Sequence, residues 1–155
     1  GRILQTHGNI GHSHLISYEQ HNDNIIEVNL ISGDDLLYAF GPPNLIKIDV
    51  EGHETQVIRG LSRVIEENQP RAIIFETHGG WPRGELAQQL KNHDYRILCI
   101  AKSYRGWSLV TEDEKLSMAT ELSSDFVAVP NVSYAKLLGL HRFSRPPRLV
   151  RPLQP

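Results

Sequence analysis

Cysteine is all but missing. Cys99 stands alone, so no disulfide can form within the chain. No Cys/His set has the spacing of a zinc site either, and no metal is expected. Apolar runs are short. None approaches the ~18 residues that a membrane-crossing helix needs, and no signal peptide is visible, so no membrane span is expected and a reducing, cytoplasmic setting is the default. Excess charge of one sign is missing too. Sixteen Lys and Arg stand against 18 Asp and Glu, a net charge of −2, which supplies no basic field for nucleic acid. An initiator Met is absent, and the chain starts at Gly1 in a polar segment rich in Gly, His, Ser and Asn, as a fragment is expected to start.

What is present is organised around Leu45–Glu54, LIKIDVEGHE, within 155 residues, the length of one domain. Leu45, Ile46, Ile48 and Val50 form a near-continuous apolar run, which predicts a strand over 45–50 covered on both faces. Asp49, Glu51 and Glu54 arrive where that strand gives way to a Gly turn and a helix. Open α/β sheets bind ligands at this end of a parallel strand, so these carboxylates stand where chemistry is done.

Residues 1–24 show no sustained periodicity and read as a polar loop with a short strand at Ser13–Tyr18. His12 and His14 form an HxH pair there, read as part of the loop. A strand over 25–31 follows, then a short helix over 36–40 that Asp34 or Asp35 can cap, ended by Gly41-Pro42-Pro43-Asn44. Val57, Ile58, Leu61, Val64 and Ile65 share one helical face, which predicts a helix ended by Gln69-Pro70. A second buried strand over 72–75 delivers Glu76, Thr77 and His78 to another Gly pair. A helix over 83–93, a strand over 95–101, a short strand around Trp107 and Leu109-Val110, and a last strand over 126–129 complete the pattern. The β-α-β-α-β order from 45 to 101 predicts a parallel sheet, with the last strand antiparallel at an edge. From 131 the chain becomes a tail, and Arg142, Arg145, Arg148 and Arg151 alternate there with Pro and no acid.

Alternation along a strand puts Lys47 and Asp49 on one face, about 7 Å apart. Lys47 is then either one half of a structural ion pair or a positioned charge or base. Asp49 can accept a hydroxyl proton or merely cap the turn. Glu76 and His78 fall beside Asp49 if their strands pair, as an acid/base group or as a metal-dependent hydrolytic set. Glu51 and Glu54 suit a helix N-terminus as well as a ligand. His53 can reach the cleft or face solvent, and Trp81 can wall a pocket or pack.

LIKIDVEGHETQVIRGL followed by QPRAIIFETH resembles the FkbM-type methyltransferases, whose hallmark is a run of the form IKIDVEGxE–xxVLxGA and then a Pro-led strand ending in Glu. The likeness extends back through VNLISGDDLL and forward through His93-Asp94-Tyr95 to SDFVAVP, roughly residues 10–130. It implies an α/β fold, a Rossmann-like class I methyltransferase sheet, mostly parallel with an antiparallel last strand and with its first two strands missing. The division it suggests is a polar loop region at 1–24, the C-terminal part of the domain at 25–130, and a basic Pro-rich tail at 131–155. The implied activity is S-adenosylmethionine-dependent transfer of a methyl group to a hydroxyl of a sugar or natural product, so the acceptor is a small molecule or glycan. Asp49, Glu51, Gly52 and Glu54 match the motif, Asp34 matches the acid after the preceding strand, and Glu76 matches the strand-end Glu. His53 departs from the small residue usual at its position, whereas Gly60 and the small Ser62 keep the motif's end.

The candidate set is therefore Asp49, Lys47, His78 and Glu76 for catalysis, Glu51, His53, Glu54 and Trp81 for the acceptor, and Asp34 and Asp49 toward S-adenosylmethionine. A rival from another class is a non-catalytic partner-binding module that keeps the same fold. No GxGxG-like loop follows an apolar strand, so the turn that cradles the methyl donor in such folds is not matched. These 155 residues alone are accordingly expected to bind S-adenosylmethionine poorly. Calorimetric titration checks this, and robust binding to the isolated 155 residues would overturn it.

Overall fold

A computed structural model describes residues 2–4, 14–16, 25–77, 80–103, 106–117, 123–134 and 136, and the statements below concern those residues. Strands β1 (Arg2–Leu4), β2 (His14–Ile16) and β3 (Ile25–Glu27) form a small antiparallel sheet in the order β2-β1-β3. β2 falls inside the strand expected at Ser13–Tyr18, whereas β1 has no counterpart in the sequence reading. The strand expected over 25–31 stops at Glu27, and Leu30 and Ile31 remain exposed.

Then come α1 (Gly33–Phe40), β4 (Leu45–Ile48), α2 (Glu54–Arg59), α3 (Ser62–Asn68), β5 (Ala72–Glu76), α4 (Gly84–Asn92), β6 (Tyr95–Ser103), β7 (Gly106–Val110), α5 (Glu112–Ser117) and β8 (Asp125–Pro130). The second sheet has the order β4-β5-β8-β6-β7. β4 and β5 are parallel, and the pairs β5–β8, β8–β6 and β6–β7 are antiparallel. The expected mostly parallel sheet is thus corrected to a mixed one in which antiparallel pairs dominate. The reason is the placement of β8. It runs antiparallel as expected, but it lies between β5 and β6 rather than at an edge, so the co-directional β5 and β6 never touch. Its burial explains the position: Phe126 and Ala128 are buried on one face, and Val127 and Val129 on the other.

The core is one-sided. Ile48, Phe75, Phe126, Cys99 and Val110 are register partners in a single buried row across all five strands. Ile58, Leu61, Val64 and Ile65 from α2 and α3, with Leu86 and Leu90 from α4, pack on that row. The opposite face carries Leu98, Val127 and Val129 with Ile74, Ile100 and Leu109, and its open groove measures about 770 Å³. β4 is an edge strand on which Ile48 alone is buried and Leu45 is 58% exposed. Cover on both faces, expected for this strand, is therefore not found: its apolar run lies at an edge and meets helices on one side.

The single helix expected over 57–65 is two. Gly60-Leu61 breaks it, because Gly33-Asp34 at the start of α1 docks on that point. Asp34 N–H donates to Gly60 O at 2.8 Å. Its carboxylate accepts the amides of Val64 (Oδ1, 3.0 Å) and Arg63 (Oδ2, 3.2 Å), with the Ser62 hydroxyl 3.5 Å from Oδ2. These are unpaired N–H groups of the first turn of α3, capped from a different helix. A Cβ on Gly33 would lie 2.2 Å from Leu61 Cδ2, so only glycine allows this approach. α1 takes its own cap from Ser32, whose Oγ accepts the Asp35 amide at 3.2 Å, rather than from Asp34 or Asp35. On the far side of the core, the Tyr95 hydroxyl donates to Pro70 O, and burial pushes the phenol up to about 12.

Asp34→Ala is expected to destabilise the protein by about 1–2 kcal/mol through loss of the α3 cap. Gly33→Ala should cost about 1–3 kcal/mol by overpacking against Leu61. Urea unfolding of both variants checks the pair, and wild-type midpoints would show that this junction carries no weight.

Candidate active site at the carboxyl edge of the sheet

β4, β5 and β6 run the same way, so their C-terminal ends share one edge, where β7 and β8 begin. The register pair Ile48–Phe75 brings Asp49 beside Glu76, and Glu76 is itself the register partner of Asp125. Three carboxylates from three neighbouring strands therefore line this edge.

Each carboxylate has a fixed neighbour. Lys47 Nζ donates to Asp49 Oδ2 at 2.8 Å. Ser124 Oγ donates to Glu76 Oε1 at 2.6 Å. Asp125 Oδ2 accepts from Lys102 Nζ at 2.6 Å and from Ser123 Oγ at 3.1 Å. The Asp49 hydrogen bond and charge, together with Asp125 and Glu76, hold the Lys47 ammonium above its ordinary range. The ion pair thus favours the protonated form of the lysine. Its side chain is 68% exposed, so the buried lysine anticipated from the strand's apolar run is instead a solvated ion-pair partner.

The hydrogen bond from Lys102 lowers the Asp125 carboxyl, with Ser123 and the Lys47 charge adding to it. Lys102 is raised in turn, first by its hydrogen bond to Asp125. The pair's stabilisation is therefore in place above the ordinary aspartate value of 3.8 and fades as pH falls through the lowered one. At the other limit it is in place below the ordinary lysine value of 10.5 and fades as pH rises through the raised one.

The turn after β4 is conformationally specific. Glu51 has φ 47° and Gly52 φ 91°, two successive left-handed residues. The first is strained for a residue with a side chain. Glu54 Oε1 accepts the Gly52 amide at 2.9 Å and so braces this turn. His53 stands at the start of α2 with Nδ1 buried and without a hydrogen-bond partner among the described residues. Trp81 packs edge-on against Phe126, ring centroids 5.4 Å apart, as part of the core. Asp34 is committed to the N-terminus of α3. His78 lies outside the described residues, as do His12 and the tail from residue 137.

The structure thus brings together Lys47, Asp49 and Glu76 from the expected set, and adds Lys102, Ser123, Ser124 and Asp125. The added residues carried a weak signal. Ser-Ser-Asp ahead of an apolar strand reads as a turn, and only the pairing of β8 against β5 reveals its role. Among the described residues, no group of three or more His, Cys, Asp and Glu could hold a metal ion.

Residues 3–97, more than half of the chain, match the model of the methyltransferase FkbM domain. The chain belongs to that family. A 55-residue stretch is 36% identical to the hexuronic acid methyltransferase AglP of Haloferax volcanii, covering 34% of this chain and 22% of that relative. The chain's match therefore spans about a fifth of the relative's length. No solved structure matches. Among the described residues, no helix of this FkbM domain is long and apolar enough to cross a membrane.

Lys102→Met is expected to return the Asp125 titration toward the ordinary aspartate value. Carbon-detected NMR of the side-chain carboxyls checks this, and superimposable curves for variant and wild type would exclude Lys102 as the cause.

Proposed function

We propose that this chain forms the acceptor side of an S-adenosylmethionine-dependent O-methyltransferase acting on a sugar hydroxyl, with a hexuronic acid as the leading acceptor class. The observation that carries the reading is the row Asp49–Glu76–Asp125 at the carboxyl edge of a family-matched α/β fold. The order β4-β5-β8-β6 supports a Rossmann-like reading: in a class I sheet of order 3-2-1-4-5-7-6 it corresponds to strands 4-5-7-6, with the seventh antiparallel, as β8 is. The acceptor class takes support from the printed activity of the relative AglP.

The donor set suits a cationic methyl donor. Three carboxylates at this edge face the ammoniums of Lys47 and Lys102, an excess of negative charge. S-adenosylmethionine, when bound, supplies an electrophilic methyl group on a sulfonium. Asp49 is the residue expected to stand nearest to it. Asp34 is not retained as a residue toward the methyl donor, because backbone amides of α3 occupy both its carboxylate oxygens.

The chain's own residues then orient an acceptor hydroxyl and take its proton. Asp49 gives one oxygen, Oδ2, to Lys47, and Oδ1, which has no hydrogen bond among the described residues, accepts the acceptor O–H. Lys47 fixes the carboxylate's orientation. Glu76, held through Oε1 by Ser124, has Oε2 for a second hydroxyl of the same ring. Glu51, His53 and Glu54 shape the turn beside it. Holding the reacting oxygen in line contributes most of the rate enhancement, and proton removal by Asp49 adds to it.

Transfer of labelled methyl groups from S-adenosylmethionine to a panel of uronic acids and neutral sugars by the full-length protein tests the reading. Asp49→Asn is expected to lower kcat about 10²–10⁴-fold with little change in affinity for S-adenosylmethionine. Wild-type turnover in that variant would remove Asp49 from the chemistry, and failure of every sugar to accept a methyl group would remove the acceptor class.

A further inference from the structure

Trp107 is 72% exposed although it sits in a paired strand, directly opposite Lys102. An indole left in water on a paired strand keeps a large apolar face uncovered, and such a face marks a binding surface more often than chance does. Its neighbours are not apolar on every side. Lys102 Nζ is bonded to Asp125, and Asp125 also holds Ser123, so donors and acceptors stand at one border of the ring. On the other border lies the open groove over Ile100, Leu109 and Val127.

We infer that Trp107, with the Lys102–Asp125 pair, forms an outer sugar subsite, and that the acceptor is consequently an oligosaccharide and not a free monosaccharide. The inference rests on the proposed reading of the acceptor as a sugar. A pyranose matches this arrangement. One face of the ring is a patch of C–H groups that stacks on an indole, and its rim of hydroxyls needs the ammonium, carboxylate and serine hydroxyl found alongside. A wholly apolar occupant would cover Trp107 equally well, but it would also strip water from an ion pair with nothing to replace it.

The position of Trp107 sets the length of the acceptor. Neighbouring strands lie about 4.8 Å apart, so β7 stands roughly 14 Å from β5, which carries Glu76, and roughly 19 Å from β4. These spans exceed one sugar ring. The ring that presents its hydroxyl to Asp49 and Glu76 and the ring on Trp107 are therefore different residues of one glycan. The row Asp49, Glu76, Asp125, Lys102 and Trp107 is continuous along the carboxyl edge, strand by strand.

The test is calorimetric titration of the full-length protein with galacturonic acid, its trimer and its tetramer, and with maltotetraose. Wild type, Trp107→Ala and Trp107→Phe are compared, with S-adenosylmethionine affinity measured in parallel. Trp107→Ala should weaken tetramer binding at least about tenfold, Trp107→Phe should recover much of it, and affinity for the monosaccharide and for S-adenosylmethionine should stay unchanged. Equal tetramer affinity in wild type and Trp107→Ala would overturn the subsite while leaving the methyltransferase reading intact. So would binding of no oligosaccharide by a wild type that binds S-adenosylmethionine, or loss of self-association in Trp107→Ala with no effect on glycans. Glycan binding that depends on Trp107, in a protein that neither binds S-adenosylmethionine nor transfers methyl groups, would support the subsite and overturn the methyltransferase reading instead.

Discussion

The insertion of β8 between β5 and β6 is the constraint on which the rest of this structure depends. It carries the buried row through the middle of the sheet, where Phe75 and Phe126 stack with centroids 6.0 Å apart. It also sets the chemistry, because the same register that pairs Phe75 with Phe126 pairs Glu76 with Asp125 on the opposite face one residue on. Core and site are thus two faces of one strand pairing. A slip of one residue would exchange them, putting carboxylates into the core and phenylalanines at the edge. The register is strongly specified for that reason.

Much of the element order was legible in the sequence. The strands expected at 45–50, 72–75, 95–101 and 126–129 are found at 45–48, 72–76, 95–103 and 125–130, and the periodic face at 57–65 packs on the core as expected. What could not be read was partnership. An apolar run shows that a segment is buried somewhere, not which strand lies beside it. A central antiparallel β8 and a terminal antiparallel β8 have the same local pattern. The edge position of β4 was not legible in Leu45 and Ile46, which look no different exposed or covered; it followed from the family resemblance, whose missing first strands leave a central apolar strand as an edge. The helix break at Gly60-Leu61 was hidden because its cause lies elsewhere in the chain, in the docking of Gly33 and Asp34.

For the candidate site, the sequence pointed to the acidic strand ends and missed the groups that position them. Asp49 and Glu76 announce themselves as carboxylates after apolar runs. Ser124 and Lys102 do not, because a serine before a strand and a lysine at the end of one are common surface features. Their significance appears only when β8 places Ser124 on Glu76 and Asp125 under Lys102. Lys47 illustrates the converse. From sequence it was open between a structural ion pair and a positioned charge or base, and the structure shows the ion pair with Asp49, which favours the protonated form.

Asp34 and Asp49 both match acids of the family pattern, yet their hydrogen bonds assign them different work. Both oxygens of Asp34 accept first-turn amides of α3, which makes it a tie between helices. Among the described residues, Asp49 is held through Oδ2 by Lys47 at the edge where β4 ends. A matched motif therefore transfers a residue's position but not its role, because a carboxylate acts on a ligand only with acceptor capacity that the fold has not already used. The same criterion ranks the remaining acids. Glu54 spends Oε1 on the Gly52 amide, Asp125 gathers Lys102 and Ser123 on Oδ2, and Glu76 gives Oε1 to Ser124. Among these acids Asp49 and Glu76 are the two that stand side by side at the ends of parallel strands.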